Sequence, residues 1–310
     1  NLQPLDALAT EINRLGCRPR TVYCESLKEA DEQGVPLAVR EYLMDADVLI
    51  STLAFSSPHG LDCPVIQAIM SGSTLPEWQA SSAGLSPRDV AMHVALPEFD
   101  GRLISVPISF KDEGNLNQTI GAELRRNVPL PDRVEQVARL ASSWCTLRRT
   151  PNNEKRIAIL FNNYPTRNAR VGNGVGLDTP ESVVRILKSL SDAGYDVGEI
   201  PETGDELIFA LLAGCTQDDE FQLPENLEAT PHKLAPEAYR ERFEKIPATR
   251  RKEMAAQWGE PPGEYMMAAS GMAIPGLRLG NIFIGIQPSR GFGVDTNAIY
   301  HSPDLPPTHF

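Results

Sequence analysis

Residues 280–310, GNIFIGIQPSRGFGVDTNAIYHSPDLPPTHF, decide how the rest of the chain is read, because they set a covered strand directly against a loop rich in chemistry. Residues 282–286 form a continuous apolar run rich in isoleucine, the pattern of a strand covered on both faces in an α/β sheet, and Gln287 and Pro288 end it. The loop beyond Pro288 is predicted to lie at a strand's carboxyl end, where open α/β sheets bind ligands. Arg290, His301 and His309 become candidate ligand contacts on that ground. The plainer alternative is a surface loop with scattered histidines.

Working outward from this stretch, helix and strand patterns alternate along the whole chain. Residues 5–15 have helical apolar spacing that stops at Gly16, 21–23 form a short strand candidate, and 47–53 and 63–70 (CPVIQAIM) read as buried strands. SGSTLPEW (71–78) reads as a loop, and Ser86 as the cap of a short helix over 87–92. A strand at 104–110 precedes an amphipathic helix over 132–149, which turns Val134, Val137, Ala138, Leu140 and Ala141 toward a core. Pro151 and Asn152 mark a break, after which a strand at 156–161 leads through a glycine-rich loop into a helix over 180–193. Thr179 is its expected cap, and Val184, Ile186, Leu187 and Leu190 its buried face. A further helix covers 205–213, and the polar, proline-rich region 217–276 carries helices at 236–245 and 249–258.

The fold class is therefore α/β, with two or more domains built on largely parallel sheets and a helical insertion near 217–276. At about 150 residues per domain, the 310 residues divide into 1–150, which carries AMHVALPEFDG, and 151–310. The chain begins without an initiator Met and ends on a dense motif, so it is expected to be a piece of a larger polypeptide, cut short in the second domain.

Composition excludes several classes. A net charge of −12 argues against a nucleic-acid surface, which needs a basic stripe. No apolar run approaches the roughly 20 residues of a membrane span, and no signal pattern opens the chain, so a cytoplasmic protein is expected. The five cysteines, at 17, 24, 63, 145 and 215, form no CxxC pair and suggest neither a disulfide framework nor structural zinc.

Four constellations could carry chemistry. In AMHVALPEFDG (91–101), an extended 92–96 would let Pro97 swing Glu98 toward His93, pairing a carboxylate with an imidazole. That pair suits a borderline dication such as Co²⁺, or proton removal from a ligand; the alternative is a histidine bonded to a backbone carbonyl. In NARVGNGVG (168–176) the glycines lie too far from the strand for a dinucleotide fingerprint and no GK[ST] follows, so ATP is not bound here. A mobile loop that presents backbone N–H groups at Gly172 and Gly174, with Arg167 or Arg170, to an anionic or amide group fits better, against a merely flexible turn. Trp78 could stack on a flat ligand or pack beside a strand, and Glu135 could face a cavity or solvent.

Taken together, SVPISF after ALPEFDG, VGNGVGLDTPESVVRILKSL, GYDVG, WGEPPG, GNIFIGIQPSRGFG and YHSPDLPPTH resemble, in this order, the large subunit of the cobaltochelatase and magnesium-chelatase family. The wording of GNGVGLDTPES and YHSPDLPPTH, and His93 within AMHVALPEFDG, is of the cobalt type. The resemblance implies a subunit that binds a corrin or porphyrin macrocycle and inserts Co²⁺ as substrate metal. An AAA+ ATPase and a metal-ion-dependent-adhesion-site subunit would act as partners and use the ATP. It implies catalytic roles for Glu98 and His93, then Glu135, and metal contacts from His93, Glu98, His301 and His309. Arg170, Gly172, Gly174 and Arg290 would hold the arms of the macrocycle. Mg²⁺ insertion into protoporphyrin IX, or a docking segment for the ATPase partners, are the alternatives. The histidine-rich block expected after PPTH is absent, so the isolated chain is expected to bind macrocycle weakly or not at all and to turn nothing over.

Overall fold

The computed structural model describes residues 2–310 except 24–28, 30, 33–35, 55–61, 120, 165, 219, 295 and 303. The chain divides into two compact units, Asn1–Thr150 and Pro151–Phe310, each with its own α/β core.

In the first unit α1 (Gln3–Arg14) is followed by the sheet strands β1 (Leu49–Ser51), β2 (Val65–Thr74), β3 (Leu103–Lys111) and β4 (Asn127–Pro129), then by α2 (Pro131–Arg149). The sheet order is β1-β2-β3-β4, with the first three strands parallel and β4 antiparallel. Leu8 of α1 and Val134, Val137, Ala138 and Ala141 of α2 close over Ile66, Ala68 and Ile108 of the sheet. Leu140, expected in this core, is 36% exposed. It lies about a third of a turn from the stripe at 134, 137, 138 and 141, too far round a 3.6-residue helix to share it.

Residues 21–23 form no strand, and β2 runs four residues past the expected end, through Thr74. The expected loop 71–78 is thus strand followed by a helix, Leu75–Ala80. The helix starts on a reciprocal cap: Thr74 Oγ1 accepts from Glu77 N at 3.3 Å and Glu77 Oε2 accepts from Thr74 N at 2.8 Å. Ser86 caps Pro87–Val90 as expected, its hydroxyl accepting from Asp89 N at 3.1 Å.

In the second unit β5 (Ile157–Phe161) lies parallel to β7 (Ile282–Ile286), which pairs antiparallel with β6 (Gly276–Leu279). The helices α3 (Thr179–Asp192) and α4 (Gly204–Leu212) pack on this sheet through Val183, Val184, Leu187, Leu207 and Leu211, against Phe161, Ile282, Ile284 and Ile286. Asp178, one residue before the expected Thr179, caps α3 by accepting from Glu181 N at 3.1 Å. Ile186 is 47% exposed, because it sits about a third of a turn from the centre of the buried stripe through Val183, Val184 and Leu187.

The 217–276 region holds helices at Pro224–Ala229, Pro236–Phe243 and Ala248–Trp258, and also a three-stranded antiparallel sheet of Lys233–Leu234, Gly271–Ala273 and Met267–Ala268. Strands of two or three residues are too short to register as a period-two pattern. With Cys215, Met266, Met272 and Ala273 buried together, the region has its own small core. Among the described residues no helix is long and apolar enough to cross a membrane.

Candidate functional site

Each unit carries a polar cluster, and the two are described separately. In the first unit, the segment 91–95 that was expected to be extended is a π-helix, Ala91–Ala95, between short helices Pro87–Val90 and Leu96–Phe99. Pro97 has no N–H to give the His93 carbonyl, so an α-helical ladder cannot run through this point. The turn widens instead, with Leu96 N bonded to Ala91 O. Helical geometry sends Glu98 out to solvent rather than toward His93.

The carboxylate beside His93 is Asp89, one turn earlier on the same helical face. Asp89 is 4% exposed and accepts from Ser71 Oγ at 2.8 Å and Gly72 N at 3.1 Å, which ties the π-helical segment to the end of β2. His93 Nδ1 is buried with no hydrogen-bond partner. Burial pushes the His93 imidazole below its ordinary value, opposed by the Asp89 charge, so the ring is held neutral with a lone pair.

Nearby Arg102 is 4% exposed and donates to Gln67 Oε1 at 2.7 Å, Asp100 Oδ2 at 3.0 Å and Ser51 Oγ at 3.3 Å. Gln67, wholly buried in the central strand, passes its own Nε2 to Leu53 O at 3.0 Å. Glu135 lies half-exposed on α2, paired with Arg139 at 2.6 Å. Trp78 packs against Phe110, ring centroids 5.3 Å apart.

In the second unit the polar cluster gathers at the carboxyl ends of β5 and β7, as open-sheet topology requires. The glycine run is not a free strap. Gly172 N donates to Asn162 O at 2.6 Å, and Val171 bridges Asn163, so the run is stitched back to the end of β5. The Gly172 N–H is thereby engaged and not on offer to a ligand. Gly172 has φ +73°, and a Cβ there would stand 2.6 Å from the Phe161 ring; one at Gly174 would make only ordinary contact with Thr179 Oγ1 at 3.5 Å. Gly172→Ala is expected to destabilise this unit by at least about 2 kcal/mol, the left-handed backbone alone accounting for roughly 1–2. Gly174→Ala should stay within about 1 kcal/mol; urea unfolding of both variants checks the contrast.

Arg167 is held by Glu220 at 2.8 Å and Asp218 at 3.3 Å. Arg170 and Arg290 are exposed and form no ion pair among the described residues. His301 is exposed at the end of the Thr296–His301 helix. His309 is buried: its Nε2 donates to Gly259 O at 2.7 Å, so Nδ1 accepts from Tyr239 Oη at 2.8 Å, leaving neither nitrogen for a metal in this arrangement. Among the described residues no three His, Cys, Asp or Glu side chains are gathered to hold a metal ion.

His232 also titrates low, because burial and then the Arg278 charge push its imidazole down. The unfolded chain therefore binds its proton at higher pH than the folded chain. Stability is retained near neutrality and falls as pH drops through the ordinary histidine value of about 6.5. The urea midpoint of the second unit should fall between pH 7 and 5, and His232→Gln should flatten that slope; an unchanged slope in the variant would assign it elsewhere.

Sequence reasoning singled out His93, Arg170 and Arg290 and did not single out Asp89, Arg102, Gln217 or Asp218, which the structure places beside them or at the ends of the strands. Asp89 was findable, since it stands at the i−4 position of His93 once a helix is drawn there.

The profile of the CobN/Magnesium Chelatase family matches residues 1–310, and the chain belongs to that family. It is 40% identical over 95% of its length to "Aerobic cobaltochelatase subunit CobN" of Pseudomonas aeruginosa, and 28% identical over 86% to a magnesium-chelatase subunit of Rhodobacter capsulatus. Among solved structures it is similar to "Catalytic Subunit of Cobaltochelatase from Mycobacterium tuberculosis", with TM-score 0.79 and 35% identity over all of this chain. The chain spans about a quarter of these relatives, 24% of the Pseudomonas protein and 26% of the solved chain.

Proposed function

We propose that the chain is a portion of the tetrapyrrole-binding, metal-inserting subunit of an ATP-dependent cobaltochelatase, which places Co²⁺ in a corrin ring while AAA+ and adhesion-site partner subunits consume the ATP. The observation that carries the reading is the buried, unpartnered His93 Nδ1 beside Asp89. Insertion must remove two pyrrole protons and strip water from a dication. A neutral, half-buried imidazole can accept such a proton, and the neighbouring carboxylate favours the imidazolium that forms. Glu98, exposed on the adjoining turn, is suited to drawing the hydrated dication toward the site. The stronger likeness to cobalt-type relatives, 40% against 28%, supports cobalt over magnesium.

The test is a fluorescence-quench titration of the complete subunit with metal-free corrin and porphyrin, for wild type, His93→Ala and Glu98→Gln. Tighter binding of the corrin, lost or weakened in the variants, supports the reading. Variants that bind as wild type would remove the site from this segment, and preference for the porphyrin would favour magnesium. The 310-residue chain alone is expected to insert no metal; measurable turnover by it would refute the division of labour proposed here.

A further inference from the structure

The loops bearing Arg170 and Arg290 are more than a hundred residues apart in sequence, yet one buried dipeptide grips both. Gln217 is 1% exposed; its Nε2 donates to Gln287 O at 3.0 Å and its Oε1 accepts from Ser289 N at 2.5 Å. Asp218 is 3% exposed; it accepts from Asn168 N at 2.8 Å and from Arg167 Nη1 at 3.3 Å. A buried amide and a buried carboxylate are costly unless satisfied, and these two are satisfied almost entirely by the loops at the strand ends, not by the sheet or its helices. Each loop is gripped one or two residues from its exposed arginine: Ser289 before Arg290, Asn168 before Arg170. Arg167 is held in ion pairs with Asp218 and Glu220, whereas Arg170 and Arg290 are exposed and form no ion pair among the described residues.

We infer that Gln217 and Asp218 are positioning residues that brace the loops carrying Arg170 and Arg290 against each other, so that the two guanidinium groups select a macrocycle bearing carboxylate arms. This rests on the tetrapyrrole reading above. An arginine bonds a carboxylate in a charge-assisted, bidentate manner that an ester cannot match, and two such bonds require a set spacing between the guanidinium groups.

The experiment compares the complete subunit with its Gln217→Ala, Gln217→Glu and Asp218→Asn variants, each titrated with a metal-free porphyrin carrying free carboxylates and with its methyl ester. Thermal melts run in parallel. Wild type is expected to prefer the free acid, and the variants to lose that preference by roughly tenfold, equivalent to one misplaced contact, while ester affinity stays unchanged. A merely structural role would lower both affinities together. Gln217→Glu keeps the acceptor for Ser289 N and serves if the alanine variant fails to fold; Asp218→Asn keeps the acceptor for Asn168 N and is independent of both. If wild type prefers the acid and the folded variants keep that preference, the brace is overturned and the tetrapyrrole reading stands. If wild type binds acid and ester equally, the brace is overturned and the tetrapyrrole reading stands; if it binds neither, both are overturned.

Discussion

Arg102→Met is expected to destabilise the first unit by about 3–5 kcal/mol, the range for breaking a buried ion pair from one side. The guanidinium is 4% exposed and is a shared donor to Gln67, Asp100 and Ser51. Burial pushes its pKa down and the Asp100 carboxylate pushes back; the guanidinium stays charged, so Arg102 is a buried cation whose cost Asp100 offsets. Methionine fills a similar volume but leaves the Gln67 Oε1 in the middle of the sheet without its donor, and an orphaned buried acceptor costs about 1–3 kcal/mol on its own. Changing Gln67 to leucine in the same chain removes the orphan, so the double variant should recover part of the loss. Urea unfolding of the single and double variants reads this directly. A loss under about 1 kcal/mol for Arg102→Met would show that water reaches the cluster and that the pair is effectively at the surface.

His93 yields the second large effect, in the opposite sense for stability and activity. On the proposed chelatase reading, His93→Ala in the complete subunit, assayed with the proposed ATPase partners, should slow metal insertion by about 10²–10⁴, the usual worth of a positioned proton acceptor. Folding should survive, because the buried Nδ1 has no hydrogen bond to lose. His93→Leu is the sharper probe: it removes a buried polar atom without a partner, so it should stabilise the first unit by about 1 kcal/mol while abolishing the same activity. A variant that inserts metal at the wild-type rate would reduce His93 to a packing residue, whatever its effect on stability.

The parts of the fold that could be read ahead were those written in local pattern. Ile282–Ile286 is a strand to the residue, and the stripes through Val134, Val137, Ala138 and Ala141 and through Val184 and Leu187 became core faces. The reading failed where one side chain overrides a pattern. Pro97 denies a backbone donor to His93 and turns an expected extended segment into a π-helix, and the Thr74–Glu77 capping box hid a helix start inside what looked like a loop. The site was harder still. Arg102 finds Gln67 across 35 residues and Gln217 finds Ser289 across 72, distances over which no periodicity speaks. Asp89 and Asp218 look like ordinary surface acids until the chain is folded around them. Arg170 and Arg290 drew attention because they stand in glycine-rich loops next to strong strands, a context to which topology gives meaning.

The ring of Phe292 stacks on Tyr265 at 4.4 Å and lies 4.9 Å from Trp258, whose Nε1 donates to Pro306 O at 2.9 Å. The protein's other two tryptophans, Trp78 and Trp144, belong to the first unit. With those two changed to phenylalanine, the emission of Trp258 becomes a built-in optical gauge: it reports by wavelength and intensity when Phe292 and Pro306 are seated against the indole, without any label attached near Arg290.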